Sequence, residues 1–262
     1  EKNDYTGFEV QPSARMSWLL ADNQTLWGSV SRAVHTPYRY TDDGSQALGI
    51  RVLPGPTPVY IKFASNRALV SDELLAYEMG YRVQPNKTLS FDFAGFYNVY
   101  DHLPHNNLAT PTTFIPLVID NTNKAASIGG ELSTKWNISN QWQVAGAYSY
   151  LSLAFEKKNA VAFSYVGTQP KHQFNIRSTY LFKNNVEMTN ALYRVGELTA
   201  LNIPGYYRLD TQLSYPVTEN ITMSLIGQNL LDDRHQEFTK FFYLANAAEI
   251  GRSIYGNVAI KF

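Results

Sequence analysis

The side chains in this sequence that could do chemistry fall into two sets. The first is Asp101, His102 and His105, a carboxylate and two imidazoles close together in the chain. Such a trio invites a metal or hydrolase reading, because His and Asp ligate divalent ions and His moves protons near neutral pH. An i, i+3 spacing converges on a helix, however, and Pro104 between the imidazoles marks a loop. The run therefore reads as solvated loop, with no metal and no cofactor assigned. No Gly-x-Ser-x-Gly elbow or Gly-rich phosphate loop occurs, and there is no Cys. Those facts exclude a disulfide framework, a thiolate zinc site and a cysteine nucleophile, and the chain does not read as an enzyme.

The second set points to binding. Tyr38, Arg39 and Tyr40 follow one strand-like run, and Arg234, His235, Phe238, Phe241, Phe242 and Tyr243 fill a late connection. Aromatic faces beside cations recognise a ligand by stacking and charge pairing. Tyr38, Arg39, Tyr40, Arg234, His235, Phe241 and Tyr243 are the candidate ligand-binding residues. The competing use of these aromatics is to pack the loops onto one another.

The elements that position them must be strands. Leu89, Phe91, Phe93, Gly95, Tyr97 and Val99 alternate with Ser90, Asp92, Ala94 and Asn98, and Ile128 to Ile138 and Trp142 to Tyr150 repeat the pattern. Period two predicts strands. Further strands read at about 8–20, 25–34, 72–84, 171–182, 186–197, 206–216, 221–230 and 249–262, about eleven in all. At 10 to 14 residues they exceed the usual five or six of globular sheets. Tight turns at Asp22-Asn23, Pro85-Asn86, Ser139-Asn140, Asn184-Asn185 and Glu219-Asn220 alternate with long connections at 35–71, 102–122, 156–170, 198–205 and 231–248. Asn-x-Ser/Thr tripeptides at Asn23, Asn86, Asn137 and Asn220 fall in the tight turns and read as local turn chemistry.

Composition agrees. The 262 residues carry 22 basic and 22 acidic side chains, a net charge of zero that disfavours nucleic acid as a partner. Charged residues are 17% and aromatics 14%, so something other than charge covers the surface. No apolar run approaches the roughly 18 residues of a spanning helix. Mid-strand Asp92, Glu131, Lys135, Arg177, Arg208 and Asp210 stand opposite apolar rows, as a wet lumen inside and lipid outside require. Leu89, Phe91, Phe93, Leu132, Trp136, Val144 and Tyr148 should face outward, and Asp92, Glu131, Lys135 and Gln143 inward. Trp18, Trp27, Trp136, Trp142, Tyr206, Tyr207 and Tyr215 near strand ends fit interfacial girdles. Gly80 and Gly95 read as bends or close backbone approaches. Arg32 and Arg82 either pair inward with acids or lie at solvated strand ends. Pro58 to Asn66 also alternates, but counting it as a spanning strand breaks the order of turns, so it reads as structure within a long outer loop. Single-chain bacterial barrels have an even strand number, so an odd count with an outside start predicts that residues 1–262 are the C-terminal part of a longer barrel.

Four stretches then resemble one family. They are Leu26 to Pro37 with Ser-Arg-Ala-x-x-x-Pro, Ser71 to Arg82 with Tyr-Glu-x-Gly-Tyr-Arg, Phe91 to Tyr100, and Leu225 to His235 with Asn-Leu-Leu-Asp, the last joined by a terminal Tyr255 to Phe262. Together they are similar to the C-terminal barrel of TonB-dependent outer-membrane receptors. The resemblance implies an all-β, transmembrane antiparallel barrel, here about half of a 22-stranded plugged one. It implies that the plug, N-terminal strands and energy-coupling box are absent from this chain. It further implies outer-membrane lipid around the barrel of a Gram-negative cell, a ferric siderophore or similar chelate as ligand, and a TonB complex engaged through the N-terminal region. Terminal Phe262 would be read by the barrel-insertion machinery. A passive porin or substrate-specific channel is the competing reading, and a secreted β adhesin a third.

Overall fold

The computed structural model describes residues 2–52, 58–108, 114–156, 166–239 and 248–261. Eleven strands form one continuous sheet, each antiparallel to the next in sequence. They are β1 (Ser13–Ala21), β2 (Gln24–His35), β3 (Asp72–Asn86), β4 (Leu89–Leu108), β5 (Phe114–Asn137), β6 (Trp142–Phe155), β7 (His172–Leu181), β8 (Glu187–Val195), β9 (Tyr206–Pro216), β10 (Ile221–Gln228) and β11 (Ser253–Ile260). Short polar side chains close the tight turns: Ser139 Oγ accepts from the N–H groups of Gln141 and Trp142, and Asn86 Oδ1 accepts from Thr88 N–H at 2.9 Å. The turn expected at Pro85-Asn86 lies two residues later, because a bulge after Val83 carries β3 on to Asn86.

Register separates the two faces, since directly paired residues share a side of the sheet. Phe93, Leu132, Tyr148 and Phe174 pair in one row, and Leu89, Trp136 and Val144 in another. Leu213, Leu225 and Gly256 continue the same face. The opposite face carries Arg82, Asp92 and Ser133 in a row, with Glu131, Lys135, Gln143, Arg177 and Asp210 at the same parity. That polar face is concave: a hollow of about 450 Å³ touches Asp92, Glu131, Ser133, Ser149, Gln173 and Asn175, and one of about 400 Å³ touches Arg177, Asp210, Gln212, Ser224 and Asn257. The inward and outward assignments hold.

The sheet is one layer thick. Among the described residues the buried apolar side chains are Phe63, Leu69, Ala76, Ala125, Ala191 and Ile203, too few and too small for a core, whereas Met79, Leu132, Leu225 and Ile254 stand exposed on the apolar face. An apolar face of this extent is unstable against water and stable against lipid. No described helix is long and apolar enough to cross a membrane.

Several expectations change. Trp18, Trp136, Trp142, Tyr207 and Tyr215 lie on the apolar face, as a girdle requires. Trp27 and Tyr206 lie on the polar face by register and belong to no girdle. Trp27 covers Gly80, where any Cβ would strike its indole ring, so that glycine marks a close approach. Gly95 meets nothing nearer than 3.8 Å and is not so constrained. Arg82 pairs inward with Asp92 at 2.5 Å. Arg32 pairs with Glu73 at 2.8 Å, but on the apolar-face parity at the outer end of β2. Residues 102–108 and 114–122 are not irregular loop: β4 and β5 stay paired out to Leu108 and Leu117 and, at about 3.3 Å per residue, extend far beyond a membrane's thickness.

Candidate ligand-binding site

The chain leaves β2 at His35 and folds into a short helix, α1 (Arg39–Asp43). The N–H groups of Thr41 and Asp42 and the Thr41 hydroxyl all donate to the Tyr38 carbonyl. Behind α1 lies a hairpin of Ser45–Val52 with Pro58–Ala64, whose second strand runs parallel to β5 at Phe114–Val118. The alternating run from Pro58 is thus loop structure, as the turn order requires. Tyr40 stacks on Phe63 at 4.4 Å and donates its hydroxyl to Gln46 Oε1 at 2.8 Å, so its ring holds α1 on the hairpin. Tyr38 stands 64% exposed, edge-on to His35 at 4.8 Å. Arg39 is exposed, and Arg67 takes Asp43 at 2.8 Å.

Under α1 lies a hollow of about 280 Å³ that touches His35, Tyr38, Asp72, Pro104, His105 and Asn121. His35 Nδ1 sits 3.2 Å from Asp72 Oδ2. Of these residues the sequence singled out Tyr38, and His105 as solvated. In the structure His105 is 6% exposed. Plain alternation would put it with Phe93 and Tyr97, but register shifts fall between Tyr100 and Leu103 and between Leu103 and His105, and His105 lines the same hollow as His35 and Asp72. Neighbouring Asp101 is held by Lys124 at 2.6 Å. No group of three or more His, Asp or Glu among the described residues is placed to hold a metal ion.

At the far end of the sheet Arg234–Gln236 pairs with Glu249–Gly251. Arg234 is well exposed and 3.4 Å from Glu249. His235 is 7% exposed, its Nδ1 3.1 Å from Asn229 Oδ1, its Nε2 2.8 Å from Glu237 Oε1, and its ring stacked on Tyr206 at 3.9 Å. Asn229 is fully buried with φ of 54°, a left-handed conformation that Asn tolerates. Its backbone N–H donates to Asp210 Oδ1 at 3.0 Å and its Nδ2 to the Ile250 carbonyl at 3.1 Å. Asp210 in turn takes both Arg208 donors. Burial pushes the Glu237 carboxyl up, but hydrogen bonds from His235 and Tyr206 outweigh it and hold the group below its usual value. The Asn-Leu-Leu-Asp-Asp-Arg-His stretch is therefore a knot that ties the outer ends of β9 and β10, and His235 is spent inside it.

No described contact joins Tyr38, Arg39 and Tyr40 to Arg234 and His235. Strands β3 to β9 lie between β2 and β10, a path of about 40 Å along the sheet at roughly 4.8 Å per strand. Phe241, Tyr243 and Phe262 lie outside the described residues.

Comparison with known proteins fits this geometry. Metal-pseudopaline receptor CntO of Pseudomonas aeruginosa, in strains UCBPP-PA14 and PAO1, is 25% identical over 185 residues, covering 66% of this chain. The chain spans 25% of that relative's length. The siderophore receptor PirA from Acinetobacter baumannii superposes with a TM-score of 0.76 over 99% of this chain and 42% of its own, at 16% identity. Copper transporter OprC gives 0.67 over 95% of this chain and 40% of its own, also at 16% identity. These likenesses establish the fold. The family model for the TonB dependent receptor-like β-barrel matches residues 1–230. The eleven-stranded sheet with its polar hollow side is part of a receptor barrel, and the chain belongs to the TonB-dependent receptor family.

Proposed function

We propose that this chain is part of an outer-membrane receptor that captures a scarce nutrient from outside the cell, a ferric siderophore above all, and imports it with TonB-coupled energy. The observation that carries the reading is the outer end of β2, where exposed Tyr38 and Arg39 crown a wall that is polar on its concave side and apolar on the other. An anionic chelate with ring groups meets there a cation and an aromatic face without first breaking an internal ion pair of Asp43, which Arg67 already neutralises. Arg234 supplies a second exposed cation across the sheet. Tyr40 contributes by holding α1, and His235 by holding the rim. Lipid surrounds the apolar face, and the TonB complex engages another region of the intact receptor.

The test is uptake and binding of a ferric siderophore by the intact receptor carrying Arg39→Ala, Arg234→Ala or both, with folding in the outer membrane checked first. Loss of a charge-assisted contact of roughly 1.5–3 kcal/mol lowers affinity about tenfold to a hundredfold per site. Unchanged affinity in the double variant moves the ligand to other walls of the receptor.

A further inference from the structure

Among the described residues, every cation on the eleven strands but two is engaged within the sheet. Arg32, Arg82, Lys124 and Arg208 each hold a carboxylate, Arg15 lies over the Trp27 ring at 5.6 Å, and Arg194 donates to the carbonyls of Val195 and Tyr206. Lys135 and Arg177 are exposed and have no such partner among the described residues. Register brings these two together: Lys135 pairs with Ala145, and Ala145 with Arg177. Both therefore stand on the concave polar face, two strand spacings or about 10 Å apart, with only a methyl group between them. The carboxylates of that face are committed or distant. Asp210 lies two strands beyond Arg177, past Ala191, and accepts from Arg208 and the Asn229 N–H. Glu131 stands four residues along β5 from Lys135, and Glu187 four residues along β8 from Ala191, about 13 Å in each case. Arg177 opens on the hollow of about 400 Å³, where Gln228, Tyr255 and Asn257 add polar groups. Two like charges on one wall repel each other and raise a positive potential, and an anion between them relieves both. A guanidinium fork matches a carboxylate or phosphate through two parallel hydrogen bonds, and an ammonium adds a point charge from the other side.

We propose that Lys135 and Arg177 form an oxyanion subsite on the polar wall, toward its tight-turn end and away from Tyr38 and Arg39, for a carboxylate or phosphate group. The group is carried by a small anion crossing the lumen or by a side chain of the intact receptor that faces this wall, and the first case rests on the import reading above. The full receptor in detergent is titrated with inorganic phosphate, read by broadening of the phosphorus NMR line. The parent is compared with Lys135→Gln/Arg177→Gln and with the charge-preserving Arg177→Lys. In cells the same three are scored for ferric siderophore uptake and for entry of vancomycin, which only an unfilled lumen admits. Each must keep folded-barrel mobility on unheated gels. For a crossing anion, the parent binds phosphate and the double variant binds it at least about tenfold more weakly. Arg177→Lys then stays within about threefold of the parent, and uptake by the double variant falls with vancomycin still excluded. For a receptor side chain, the parent binds no phosphate because the site is filled, and the double variant admits vancomycin while Arg177→Lys does not. A double variant that matches the parent in both phosphate binding and vancomycin exclusion overturns the proposal. If phosphate binding depends on the two cations while the parent takes up no ferric siderophore, the import reading fails and the subsite stands.

Discussion

His105 and His235 are buried to the same degree at opposite ends of the same rim, yet their surroundings differ in kind. His235 has an acceptor on each nitrogen and a tyrosine under its ring; His105 has neither nitrogen satisfied. A satisfied buried imidazole stabilises the fold, whereas an unsatisfied one costs about 1–3 kcal/mol and is held in place by the structure around it. The rim thus has a fastened side at β9 and β10 and a side with an unsatisfied buried imidazole at β2 and β4.

The largest test of that contrast is a crossed pair of substitutions. His235→Phe should destabilise the barrel by about 2–4 kcal/mol in a denaturant titration in lipid, because Asn229 and Glu237 lose their buried partner. His105→Phe should leave stability unchanged or raise it by up to about 1 kcal/mol; equal losses at both positions would erase the distinction. A middle effect comes from Asp210→Asn. It weakens both the Arg208 pair and the Asn229 N–H contact, and should cost about 1–3 kcal/mol, with faster amide exchange confined to 229–237. The smallest is pH. Glu237 is held below its ordinary value of 4.5, so its contribution is complete above that pH and is lost as pH falls through the lowered folded value. Its partial exposure limits the effect to less than about 1 kcal/mol. Amide exchange around His235 should quicken below pH 4.5 while that around His105 does not; parallel changes would show that Glu237 is not the cause.

What could be read from the sequence follows the same division. The eleven strands and the tight turns were legible because lipid and water on opposite sides impose strict alternation from Leu26 to Val258. Trp27 and Tyr206 were misread because proximity to a strand end says nothing of face, which depends on parity. The burial of His105 was hidden because bulges between Tyr100 and His105 break the alternation that sequence reading relies on. His235 looked like a ligand contact, since an aromatic and cationic loop has the same composition whether its side chains face outward or one another. Tyr38 and Arg39 were the part of the set whose exposure the turn at the end of β2 preserves.

The order of the sheet also bears on how the wall is assembled. Along the path from β1 to β11 each strand pairs with the next of that series, so each hairpin can add to the last without waiting for a distant partner. The steps are unequal: by chain-closure entropy alone, joining β2 to β3 across 36–71 costs about 2–3 kcal/mol more than joining β1 to β2 across Asp22 and Asn23. The α1 turn and the hairpin behind it shorten that effective gap by folding locally. Tyr40 on Phe63 is therefore a contact that speeds zippering of the wall as well as shaping its mouth, and Tyr40→Ala should slow barrel insertion more than it alters the finished barrel.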